Sequence, residues 1–107
     1  MPDTRVHHSM ILGSETSFIH TEYSDKRLLL ISQVNNKIST LFYQGRALLN
    51  NQQTLLPVAE SIKQKMNQDM VIGITLSKEN IDRIQNEHCL LQLWKELETA
   101  LHDMELL

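Results

Sequence analysis

A single cysteine, Cys89, stands among 107 residues, so no intrachain disulfide can form and the composition suits a reducing compartment, the cytoplasm with the nucleus as an extension of it. Glycine is equally scarce. Gly13, Gly45 and Gly73 each stand alone, whereas a loop that cradles phosphates needs several glycines close together, which leaves nucleotide hydrolysis without support. Excess charge of either sign is missing. Ten basic against thirteen acidic side chains give a net charge of −3, far from the basic footprint that nucleic acid or an anionic lipid surface demands. The longest purely apolar run is Leu28-Leu29-Leu30-Ile31, well short of the roughly 20 residues needed to cross a bilayer. The first residues also lack the apolar core of a signal peptide. Neither nucleic acid nor a membrane is expected as a partner.

Chemistry is sparse as well. His7 and His8 are adjacent and His20, His88 and His102 fall in different elements, with none of the His-x-x-x-His or Cys-x-x-Cys spacings that bind metals. His88 and Cys89 are sequence neighbours, which on a helix point about 100° apart, the wrong geometry for a base and its nucleophile. Glu15, Glu22, Asp25 and Asp82 offer no obvious acid–base pair. No cofactor, metal or catalytic residue is expected, and the chain reads as a non-enzyme.

What remains is 41% hydrophobic residues in 12.4 kDa, the size of one small domain over residues 1–107. Residues 17–23, 27–34 and 37–43 are rich in β-branched and aromatic side chains and end in turn residues, the mark of strands. Ser24-Asp25-Lys26 forms the first turn and Asn35-Asn36 suits a tight hairpin, which together predict an antiparallel meander. Residues 5–12 are a candidate edge strand and 46–50 a possible extension. Thr54 and Pro57 open a helix over residues 55–67, with Leu55, Val58, Ala59, Ile62 and Met66 at helical spacing. A strand over 70–76 follows. The last thirty residues are helical, with one apolar stripe at Ile81, Ile84 and His88 and a second, rotated one at Leu90, Leu93, Trp94, Leu97, Leu101 and Met104, so the axis breaks near residues 86–89. The expected fold is α+β, an antiparallel meander packed against two or three helices in a single, dimerising domain.

Strand register carries the functional expectation. Counting outward from the two turns puts Ile19, Thr21, Tyr23, Leu28, Leu30, Ser32, Leu41 and Tyr43 on one face. The other receives Phe18, His20, Glu22, Leu29, Ile31, Gln33, Ile38, Thr40 and Phe42. Both faces are substantially apolar, unlike an antiparallel sheet that is wet on one side. Either helices cover both faces, or a second protein covers one of them. Because His20, Glu22 and Gln33 resemble the polar rim of an interface, the expected partner-binding residues are Phe18, His20, Leu29, Ile31, Gln33, Ile38 and Phe42.

The strings Thr21-Glu22-Tyr23-Ser24-Asp25, Leu28-Leu29-Leu30-Ile31-Ser32-Gln33 and Lys37-Ile38-Ser39-Thr40-Leu41 resemble the N-terminal hairpins of the proteasome assembly chaperone 3 family. Ala47-Leu48-Leu49-Asn50 and Leu55-Leu56-Pro57-Val58-Ala59 are similar to its link into the first helix, with Asn50 in place of the family's glycine. Proteasome assembly chaperone 4 has a related layout. The resemblance implies an ATP-independent, non-enzymatic chaperone that pairs with a paralogous subunit, or with a second copy, and promotes assembly of the 20S proteasome α-ring through contacts with α-subunits. A small dimeric scaffold of a trafficking or signalling complex, such as a roadblock-like module, is the competing expectation; those usually begin with a helix, whereas this chain begins with strands.

Overall fold

The computed structural model describes residues 3–34, 37–43, 45–66 and 69–107. Its first hairpin joins β1 (Asp3–Ile11) to β2 (Ser14–Glu22) through Leu12 and Gly13. Both turn residues have positive φ, 51° and 79°, the twist a two-residue hairpin turn requires. A leucine is costly in that conformation, and the surroundings hold it there. Its side chain is 2% exposed, its N–H donates to Glu96 Oε2 at 3.2 Å and its carbonyl accepts from Arg83 Nη1 at 2.8 Å.

Strand β2 continues into β3 (Arg27–Ser32) around a turn closed by Tyr23 N donating to Lys26 O at 2.9 Å. A second hairpin pairs β4 (Thr40–Tyr43) with β5 (Arg46–Asn50), and β6 (Met70–Thr75) comes after the first helix. The strand order is β1-β2-β3-β6-β4-β5. The sheet is therefore mixed, with β6 parallel to β3 and antiparallel to β4. This corrects the meander: β3 and β4 are not neighbours, because β6 occupies the place between them. The Asn35-Asn36 hairpin turn lies outside the described residues. Strand β6 carries Met70, Ile72 and Ile74 on one face and Val71 beside Gly73 and Thr75 on the other. Its central place gives its backbone groups hydrogen-bond partners on both edges.

Helix α1 (Leu56–Met66) follows a 3-10 turn at Gln53–Leu55. Thr54 is not its cap: the Thr54 hydroxyl accepts from Gln85 Nε2 at 2.9 Å. Helix α2 (Lys78–Glu87) starts at Ser77, whose hydroxyl accepts from Asn80 N, and stops at His88 in the left-handed conformation. Helix α3 (Leu90–Asp103) begins anew after this break at His88 and Cys89, where the phase change in the sequence falls. Val58, Ala59, Ile62 and Met66 of α1, Ile84 of α2 and Leu93, Leu97, Ala100 and Leu101 of α3 meet Phe18, Leu29, Ile31, Phe42, Met70, Ile72 and Ile74 of the sheet in one core. Each fully buried aliphatic or aromatic side chain there contributes about 1.5–3 kcal/mol.

Candidate functional site

Side chains alternate across a strand, so the pairings assign every sheet residue to a face. His20 lies opposite Arg5 and Leu29, Phe18 opposite His7 and Ile31, Leu29 opposite Ile72, and Ile72 opposite Phe42. These residues form the face that the helices cover. Exposure is zero at Phe18, His20, Leu29 and Ile31 and 4% at Phe42. The partner-binding assignment of these five residues is thus corrected: they are already enclosed by the chain's own helices.

Gln33 and Ile38 have different positions. Gln33 is half-buried at the end of β3, where its amide nitrogen donates to Ile11 O at 2.9 Å and Thr16 Oγ1 at 3.0 Å. Its amide oxygen accepts from Ser77 N and from Asn80 Nδ2, both at 2.9 Å. One side chain thereby ties the β1–β2 hairpin to the start of α2. Ile38 sits on the opposite side of the sheet from the helices. A Cβ built on Gly73 would lie 3.1 Å from its Cγ2, 2.8 Å from Leu30 Cδ2 and 3.3 Å from Leu41 Cδ1, so these three side chains close over the bare backbone of β6. Among the seven expected residues, Ile38 is the one on the uncovered face.

That uncovered face holds Val6, Ile19, Leu28, Leu30, Ile38, Leu41, Tyr43, Val71 and Leu49. Among the described residues, none of these nine belongs to the core cluster under the helices or to the partly buried hydrophobics packed against it. Val6 and Leu49 are exposed, at 58% and 45%, and the others named are half-buried. Polar groups ring the patch. Thr4 pairs with Thr21 at 3.2 Å between hydroxyls, His8 approaches Glu15 at 3.9 Å, and Lys26 Nζ lies 5.6 Å from the centre of the Tyr43 ring. An apolar centre within a polar rim is the anatomy of a protein–protein interface.

A smaller apolar groove lies in the helix layer, lined by Pro57, Val58, Ser61, Leu90, Leu91 and Trp94. Along its flank Lys65 Nζ meets Glu98 at 2.7 Å and rests 5.5 Å from the Trp94 ring centre. Glu98 is therefore paired, and Glu96 accepts from the Leu12 N–H in the first hairpin turn. Cys89 is half-buried at the start of α3.

Among the described residues, no group of three or more His, Cys, Asp and Glu side chains could hold a metal ion. No helix there is long and apolar enough to cross a membrane. His20 has its pKa lowered below 6.5, first by burial and then by the neighbouring Arg5 guanidinium. The signal that identifies the covered face was present in β6: Met70, Ile72, Ile74 and Leu76 are large aliphatics on one side, while Val71, Gly73 and Thr75 on the other are smaller. Comparison with known proteins finds no family model that matches this chain and no match among curated proteins.

Proposed function

We propose that the chain is one subunit of a dimeric, non-enzymatic assembly chaperone of the proteasome assembly chaperone 3 or 4 type. In this reading its uncovered sheet face packs on a paralogous subunit, or on a second copy, and the pair promotes 20S proteasome α-ring assembly in the cytoplasm and nucleus. The observation that carries the dimer is the one-sided helix layer, which leaves Ile19, Leu28, Leu30, Leu41 and Val71 only half-buried and outside the core under the helices. Burying such a patch against another sheet uses the same physics as the core beneath the helices. The proteasome as client is supported by the likeness of the local strings quoted above and by the order of five strands, helix, strand and two helices in which they are set.

Light scattering on the purified chain, alone and after co-expression with candidate paralogues, tests the dimer. Leu30→Glu abolishes association while leaving a folded monomer, whereas Leu91→Glu, in the helix layer, leaves association unchanged. A wild-type chain that stays monomeric with every candidate, or a Leu30→Glu variant that still associates, overturns the reading of the face. Affinity capture from native cells tests the client. Co-purification of proteasome α-subunits supports the chaperone, and recovery of vesicle or GTPase machinery in their place transfers the same dimer to the scaffold class.

A further inference from the structure

We propose that His20 makes this fold proton-sensitive: protonation of its buried imidazole loosens β1 and the end of α3 from the rest of the domain. His20 is fully enclosed on the covered face of the sheet, and neither Nδ1 nor Nε2 has a hydrogen-bond partner among the described residues. A neutral imidazole always carries one N–H and one lone pair, so the site already holds two unmet polar atoms in apolar surroundings. A second proton turns that deficit into an unpaired buried cation, the costlier state by far.

The groups around it decide where the strain is released. Arg5 of β1 lies directly opposite His20 in the sheet, and Leu29 of β3 lies on its other side. Arg5 Nη1 donates to the carbonyl of Met104, the residue that ends α3, at 3.1 Å. Asp103 and Glu105 line the same cleft as Arg5. Arg27 on β3 adds a second positive charge, while Glu22 on β2 and Asp3 on β1 pull the other way. Glu22 is itself engaged with Arg27 at 3.5 Å, which blunts its attraction for an imidazolium. Burial and the two guanidiniums oppose the proton more strongly than the two carboxylates invite it, so the imidazole takes up its proton at a lower pH than a free histidine does. When the proton does arrive, Arg5, which is exposed and faces His20 across the β1–β2 pair, can move away, and its hydrogen bond from β1 to the end of α3 goes with it.

The direction with pH is fixed by linkage. An unfolded chain accepts the histidine proton near 6.5, the folded chain only at lower pH. The unfolded state therefore binds more protons just below pH 6.5. The stability due to neutral His20 is complete above that value and is lost as pH falls below it, until the folded state also protonates. One proton changes the folding constant by at most about tenfold per pH unit.

Urea unfolding at pH 7.5 and 5.5 of the wild type, His20→Leu and His20→Gln tests this. The expected result is that acidification lowers the wild-type folding constant by up to about tenfold more than that of either variant. Hydrogen-exchange protection of residues 3–11 should fall on acidification relative to that of β6 in the wild type only. Equal acid losses in all three proteins, or uniform loss of protection across β1 and β6, overturn the proposal. The imidazole resonances of the wild type provide a check that needs no variant: a His20 ring that titrates at or above pH 6.5 in the folded protein overturns it as well.

Discussion

Leu29 and Leu30 are adjacent in β3 and chemically identical, yet one is fully enclosed beneath the helices and the other lies half-buried on the bare side of the sheet. In β6 the contrast is confined to its start: Ile72 and Ile74 are at zero exposure and Val71 is half-buried, while Gly73 and Thr75 on Val71's side are buried as well. Polar content does not distinguish the two sides. The covered face contains His20 and Thr40 at zero exposure, and the bare face has Thr21 and Thr75 beside its aliphatics. What separates the faces is volume. Helix packing needs large side chains in unbroken rows, and the row Met70, Ile72, Ile74, Leu76 supplies one, while Gly73 interrupts the other.

The largest expected break of this comparison comes from truncating both neighbours. Leu29→Ala leaves a cavity in the core and costs about 2–5 kcal/mol in urea unfolding of the monomer. Leu30→Ala removes the same atoms from a face already half in water and costs under about 1.5 kcal/mol, with its larger effect on association. Equal losses would show that something covers both faces in the free chain. Next comes Gln33→Ala, which strips partners from Ser77 N, Asn80 Nδ2 and the Ile11 carbonyl at once. Leaving such groups unsatisfied costs about 1–3 kcal/mol, and the site's partial exposure favours the lower end. Because this latch is at the end of the covered side, dimerisation measured at full folding should not change.

Much of the architecture was legible in the residues. The two-phase apolar stripe of residues 81–104 requires a break, and the chain supplies it with His88 in the left-handed conformation. The strands from Ser14 to Ser32 and the strand at Met70 follow from β-branched runs. Strand order was not legible, because the sequence neighbours β3 and β4 are both apolar and nothing local reveals that β6, some thirty residues later, will insert between them. That insertion depends on long-range burial rather than on turn chemistry. The face assignment failed for a related reason. His20 and Gln33 look like rim residues when polarity is taken as a sign of solvent, but Gln33 is consumed by groups of the hairpin and α2, and His20 sits in the core with no hydrogen-bond partner among the described residues. Alternation puts Ile38 on the face of Phe42, whereas its side chain closes over Gly73 on the other side, because residues 37–39 precede β4 as an irregular stretch through which strand alternation does not run.

Gly73→Ala gives the smallest expected effect on stability and the finest distinction between the faces. The new methyl would stand 2.8 Å from Leu30 Cδ2, closer than such atoms approach, and 3.1 and 3.3 Å from the ends of Ile38 and Leu41. On the covered face an extra methyl at that distance would have no outlet and would cost about 1–3 kcal/mol. Here the three obstructing atoms are the tips of side chains bordering solvent, and they can turn outward. Losing the glycine's freedom in the unfolded chain returns about 0.4–1 kcal/mol, so the urea midpoint of the monomer should move little in either direction. The turned side chains nevertheless raise the centre of the patch that a facing sheet would have to match. Dimer affinity, measured by sedimentation at several concentrations, should fall while monomer stability holds. A variant that loses monomer stability as heavily as Leu29→Ala would mean that β6 is packed on both sides within a single chain, and the contrast between the two faces would disappear with it.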